Sequence, residues 1–111
     1  MSQELRAPYL NNIILKSQRG RRNIYERIPR SYPGVLVQIV NSSPTRTPVS
    51  NVYVSCGEFA STSLLNLHVF KRLKPNDCLV NDGKQLAANE IVSFVYTNSR
   101  TYDLVVSHVD C

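Results

Sequence analysis

The chain has little of several residue types that mark specialised folds and sites. Its 111 residues include no tryptophan, one methionine, four glycines and three cysteines. Gly57 and Gly83 belong to no phosphate-cradling pattern. No stretch approaches the roughly 20 consecutive apolar residues of a membrane span, so we expect no membrane insertion. At the N-terminus, Glu4 and Arg6 stand where a secretory signal would carry its apolar run, so no export signal is predicted.

Groupings that metal binding and catalysis require are also missing from the sequence. No CxxC pair occurs, and His68 and His108 stand alone, so we expect no metal ion and no cofactor. The stretch Ser61-Thr62-Ser63 lacks the glycines of a nucleophile elbow. Asp77 and Asp82 fall in predicted turns, where aspartate is common because its side chain hydrogen-bonds to the backbone. They therefore do not indicate a catalytic acid pair. The sequence therefore predicts a protein that binds a partner and is not an enzyme.

The composition that is present indicates one folded domain. Hydrophobic residues make up 42% of the chain and charged residues 19%, which is typical of globular proteins. We expect a single domain over residues 1–111, with residues 1–11 as a loose N-terminal arm.

The net charge of +5 is concentrated in residues 1–49. That basic half could attract an acidic partner or a nucleic acid, although a solvated basic arm is the simpler interpretation. Its basic residues are not interleaved with stacking aromatics in a recognised motif, so no nucleic-acid partner is expected.

Short β-branched runs separated by turn residues indicate an all-β fold. Strands are predicted at 12–18, 23–28, 35–40, 52–54, 91–96 and 102–109, with a short apolar stretch at 78–80 between two turns. The first two strands are predicted to form one hairpin and the last two another. Residues 59–73 fit neither the helix nor the strand period and could form a turn plus a short strand into Lys71-Arg72-Leu73. About seven short strands without an amphipathic helix predict a small antiparallel β-sandwich.

Several segments around the cysteines carry a specific pattern. They are VYVSCGEF at 52–59, VFKRL at 69–73, NDCLVNDGK at 76–84 and YDLVVSHVDC at 102–111. In these segments the chain resembles the plant tapetum determinant family. The resemblance implies a small, secreted, cysteine-rich plant protein that is extracellular. It also implies a ligand of a leucine-rich-repeat receptor kinase ectodomain, acting in anther cell-fate specification.

The resemblance also suggests which residues meet the partner. The turn residues of the matching segments, at 76–77 and 81–84, are expected either to hold a rigid loop or to contact the receptor. We favour the first role. The basic residues near them are expected to meet an acidic receptor face. The candidate partner-binding residues are Lys71, Arg72, Lys74, Asn76, Asp77, Asn81, Asp82 and Lys84.

Two covalent modifications are predicted. Cys56, Cys78 and Cys111 allow at most one intrachain disulfide and leave one thiol over, and their number does not say which two are bonded. The resemblance implies further cysteines, and Ser43 stands in one of their places. Asn41 opens an Asn-Ser-Ser sequon in a predicted loop and is a candidate for N-glycosylation.

A carbohydrate-binding module is the alternative function. Small β-sandwiches often present planar aromatic side chains to sugars. The tyrosines that could serve in this way are Tyr25, Tyr32, Tyr53, Tyr96 and Tyr102. The absence of tryptophan counts against this alternative.

Overall fold

A computed structural model describes residues 12–19 and 34–111, and this part of the chain is built from seven strands. They are β1 (Ile13–Arg19), β2 (Gly34–Asn41), β3 (Ser50–Ser55), β4 (Phe70–Lys74), β5 (Asp77–Val80), β6 (Ile91–Thr97) and β7 (Val105–Asp110). A single 3-10 turn at Asn81–Gly83 follows β5. In the described part no helix is long and apolar enough to cross a membrane. The predicted all-β class is confirmed.

The seven strands form two antiparallel sheets that enclose one core. The first has the order β1-β2-β6 and the second the order β4-β5-β3-β7. Alternation along β2, β3, β5 and β6 buries one face of each: Val35, Val37 and Ile39 point inward from β2, and Val52 and Val54 from β3. Because a strand has a period of two, this alternation leaves the opposite face to solvent. The predicted antiparallel sandwich is confirmed.

The first strand pairs with β2 along its whole length. Ile13 lies opposite Asn41, and Arg19 lies opposite Val35. The predicted strand 23–28, its hairpin with the first strand and the predicted arm 1–11 lie outside the described residues.

The second predicted hairpin is wrong, because its two strands belong to different sheets. β6 pairs with β2, whereas β7 pairs with β3. The connection between them buries Tyr102 and Leu104 in the core, and the Tyr102 backbone N–H donates to the Tyr96 hydroxyl at 3.1 Å. With these two side chains buried, the connection crosses from one sheet to the other. The last strand therefore starts at Val105 and not at the predicted Tyr102.

Phe59 occupies the centre of an aromatic cluster between the sheets. Its ring lies 5.0 Å from Phe70 and 5.0 Å from Tyr96, edge-on in both cases, and 5.3 Å from Tyr102. Phe70 in turn stacks on Phe94 at 4.3 Å. Phe59 lies in the irregular segment between β3 and β4, so this one buried ring anchors a segment that follows no regular period.

The structure shows which two of the three cysteines form the disulfide. Cys56, at the end of β3, is bonded to Cys78 on β5, with the two Cα atoms 6.1 Å apart. The two strands are neighbours, and Val54 lies directly opposite Cys78. Both bonded cysteines are buried, whereas Cys111 is exposed and has a free thiol.

Asn41 is not the exposed loop residue that its sequon suggested. It ends β2 with its side chain completely buried. Its Nδ2 donates to the carbonyl oxygens of Thr47 at 2.8 Å and Leu86 at 3.1 Å, and its Oδ1 accepts from the Ser43 N–H at 3.1 Å. A glycan would be attached to this same Nδ2, which is buried and donates two hydrogen bonds, so we expect no glycan on Asn41 of the folded protein.

Replacing Asn41 by alanine is expected to lower the free energy of unfolding by about 2 kcal/mol. The change leaves buried backbone groups without partners, and each such group costs about 1–3 kcal/mol. Urea unfolding measures the effect, and Gln38→Ala, on the exposed face of the same strand, is the control. An N-glycan on Asn41 of folded, secreted protein, detected by mass spectrometry, would contradict this structural role.

Candidate partner-binding site

The predicted basic residues lie along β4, which is an edge strand among the described residues. Phe70 at its start is buried, and the rest of the strand is exposed. Lys71, Arg72 and Lys74 form no ion pair with any described residue. One guanidinium nitrogen of Arg72 donates to the carbonyl oxygen of Phe59 at 3.2 Å, which holds its side chain beside the irregular segment. β4 therefore presents a basic edge whose three charged side chains form no ion pair within the described part of the chain.

Asn76 has a structural role in the turn between β4 and β5. Its φ of 64° lies in the left-handed region, which asparagine tolerates better than most residues. Its Oδ1 accepts from the Ser55 hydroxyl at 2.6 Å and from the Gly57 N–H at 3.0 Å. Asn76 thus ties the β4–β5 turn to the end of β3. Asp77, at the start of β5, lies opposite Lys74.

The predicted turn at residues 81–84 is confirmed, and its geometry is restrictive. Asn81, Asp82 and Gly83 all have positive φ, at 56°, 56° and 73°. A Cβ on Gly83 would lie 2.8 Å from the Oδ1 of Asn51, so a larger residue is disfavoured both by its φ and by this contact. Lys84 is exposed, and its N–H closes the turn on the Asn81 carbonyl at 2.9 Å.

The eight predicted residues are not brought together into one site. Lys74 and Asp77 pair at one end of the β4–β5 hairpin, and Phe70 and Val80 pair at the other. The 81–84 turn follows β5 directly, so it lies at the opposite end from Asn76. Of the predicted residues, Lys71, Arg72 and Lys74 are the ones that share one exposed strand, β4.

An apolar cleft beside this basic edge was not predicted from the sequence. We call it the leucine cleft, and it has a volume of about 310 Å³. Its lining includes Phe59, Leu64, Leu65, Leu67, Phe70 and Arg72. Leu64 is 102% exposed and Leu67 is 58% exposed, which is unusual for large apolar side chains that lie close together. The sequence feature that could have indicated this cleft is the group of leucines at 64–67, in a segment without a regular period.

A polar cluster lies on the exposed face of the four-stranded sheet. Asn51 Nδ2 donates to Asp110 Oδ2 at 2.8 Å, and His108 Nε2 lies 2.8 Å from Asp110 Oδ1. The hydrogen bond from Asn51, and then that from His108, holds the pKa of Asp110 below its ordinary value of 3.8. The Tyr53 ring packs edge-on against His108 at 5.7 Å. Within residues 12–19 and 34–111, no three His, Cys, Asp or Glu side chains form a metal-binding group.

The comparison with protein families identifies the chain's relatives. The family model described as "Tapetum determinant 1, C-terminal" matches residues 14–111. The chain belongs to the tapetum determinant family. The resemblance seen in the sequence is therefore confirmed, and the match covers the leucine cleft, the basic edge and the disulfide.

Two named members of the tapetum determinant family show how much is shared. The chain is 43% identical over 84 residues to TPD1 protein homolog 1 of Arabidopsis thaliana, covering 76% of this chain and 47% of the relative. It is 43% identical over 90 residues to TPD1 protein homolog 1B of rice, Oryza sativa subsp. japonica, covering 81% of this chain and 53% of the relative. The chain thus spans about half the length of these relatives. No solved structure matches it.

Proposed function

We propose that this member of the tapetum determinant family is an extracellular signalling ligand. Its partner is the ectodomain of a leucine-rich-repeat receptor kinase in anther cell-fate specification, and it performs no catalysis. The observation that carries the proposal is the basic edge of Lys71, Arg72 and Lys74, which are exposed and form no ion pair with a described residue. Such an edge favours association with an acidic protein face, because complementary charge raises the rate of encounter.

The disulfide supports an extracellular location. Bonds of this kind form and persist in oxidising compartments and are rare in the cytosol. Cys56–Cys78 lies in the core and joins neighbouring strands. A ligand outside the cell would thereby keep its β4–β5 hairpin in place.

Two of the five tyrosines that could serve in the alternative carbohydrate-binding function are buried. Tyr96 is completely buried and Tyr102 is 9% exposed, so neither ring can stack on a sugar. Tyr53 is half-buried and packs against His108. Tyr25 and Tyr32 lie outside the described residues. The described surface therefore favours a protein partner.

The test measures binding of the full chain to a panel of immobilised leucine-rich-repeat receptor ectodomains. The double charge reversal Lys71→Glu/Lys74→Glu is expected to weaken binding to the recognised ectodomain at least about tenfold, which corresponds to about 1.4 kcal/mol. Arg72 is left unchanged because its side chain also holds Phe59. The matched control is Lys16→Glu/Arg19→Glu, which reverses two exposed charges on β1.

Two results would count against the receptor proposal. One is a wild-type chain that binds none of the ectodomains above the level of an unrelated basic protein. The other is an equal loss of binding in the β1 control, because this would mean that net charge alone, and not the basic edge, governs the interaction.

A further inference from the structure

We propose that the leucine cleft and the basic edge form one composite docking site for an acidic segment of a protein partner. The segment inserts an apolar side chain, such as leucine or phenylalanine, into the cleft and places a neighbouring carboxylate against Arg72, while the two lysines of the same strand add positive charge. The inference rests on the proposed receptor-binding function and specifies which surface of the receptor the chain recognises.

The segment that carries the exposed leucines is hydrogen-bonded on both sides. Next to them, the Thr62 N–H donates to the carbonyl oxygen of Thr97 at 2.7 Å, and Ser61 Oγ accepts from the Thr97 N–H at 3.0 Å. After them, the Val69 N–H donates to the Asn66 carbonyl at 2.9 Å. A surface that is already ordered loses little conformational entropy when a partner binds. Anchoring both ends of the leucine segment in this way lowers the conformational entropy that binding must remove.

The cleft has an apolar floor and is of limited size. Phe59 and Phe70 line it from below and are 5% and 1% exposed, whereas Leu64 is fully exposed above them. Its volume of about 310 Å³ is at the lower end of the range for ligand pockets, roughly 300–1,000 Å³. We therefore expect it to take one or two apolar side chains from a partner.

Charge at the cleft selects an acidic partner. Arg72 is the charged residue of the lining, and no carboxylate belongs to it. The guanidinium uses one nitrogen on the Phe59 carbonyl, and its remaining donors can take a carboxylate in the forked geometry that arginine favours. Lys71 and Lys74, on the same exposed strand, add positive charge to this edge of the sheet. A partner with Asp or Glu flanking its apolar residue matches both features.

The test selects binders from a random phage-displayed peptide library on the immobilised, disulfide-bonded full chain. Enriched peptides are expected to carry Leu or Phe next to Asp or Glu. The variant Leu64→Ser/Leu67→Ser is expected to bind them at least about tenfold more weakly, because two apolar anchors are lost. The matched control is Ile91→Ser/Val105→Ser, since these residues are 58% and 60% exposed and lie on other strands. All four positions are exposed, and circular dichroism checks that each variant folds.

Three outcomes would overturn the docking site. They are enriched peptides without acidic residues, enriched peptides that bind the leucine variant as tightly as the wild type, and binding to phosphatidylserine vesicles that the leucine variant loses. The last would assign the leucines to a lipid surface.

The same variants separate this inference from the receptor proposal. Acidic peptides that require the leucines, together with no bound ectodomain, would support the docking site and reject the receptor role. An ectodomain bound equally by the wild type and the leucine variant would support the receptor role and reject the docking site.

Discussion

Replacing Cys56 and Cys78 together by alanine is expected to lower the free energy of unfolding by about 3 kcal/mol. The bond joins residues 22 positions apart, and the loss of loop closure in the unfolded chain predicts an effect of about this size. Single domains have a total stability of only about 5–15 kcal/mol. The double variant should therefore unfold at a much lower urea concentration than the wild type.

The comparison variant for this experiment is Cys111→Ala. Its thiol is exposed and unbonded, so its free energy of unfolding in urea should stay within about 0.5 kcal/mol of the wild type. The disulfide also closes the loop that contains the leucine cleft and β4, so we expect the double variant to lose affinity for the peptides as well. An unchanged urea midpoint in the double variant would show that packing alone maintains this part of the fold.

Replacing Phe70 by alanine is expected to lower the free energy of unfolding by about 3–5 kcal/mol. The side chain is 1% exposed, stacks on Phe94 at 4.3 Å and meets Phe59 edge-on at 5.0 Å. Removing the ring leaves a cavity between the sheets at the point where the irregular segment enters β4. Thermal and urea unfolding should both show the loss.

Leu64→Ala provides the contrast to Phe70→Ala, since both residues line the same cleft. Leu64 is fully exposed, so its truncation should change stability by no more than about 0.5 kcal/mol while weakening peptide binding. A large loss of stability at Leu64, or a small one at Phe70, would mean that the leucine segment packs differently against the sandwich.

Part of the candidate site could be predicted because it depends on local sequence. Lys71, Arg72 and Lys74 are charged residues on a short strand, and charged side chains remain at the surface whichever strands surround them. The leucine cleft could not be predicted, because Leu64 and Leu67 have no period that assigns them to a buried or an exposed face. Phe59 anchors the start of the segment in the core, and only the tertiary structure shows that the leucines after it are exposed.

The sequence by itself determined most of the strands and the tight turns of this protein. Alternation at 35–40 defines the buried face of β2, because successive side chains of a strand point to opposite faces. The Asn81–Gly83 turn follows from residues that tolerate positive φ. Both are local properties, encoded by residues that are close in the chain.

Only the tertiary structure decided which strands are neighbours and what lies between them. Cys56 is bonded to Cys78 because β3 pairs with β5, and β6 and β7 lie in different sheets. Asn41 is buried and donates to the carbonyls of Thr47 and Leu86. Each outcome depends on residues far apart in the sequence. Pairing between distant strands is set by how the two sheets close around Phe59 and its aromatic neighbours, and no local pattern encodes that closure.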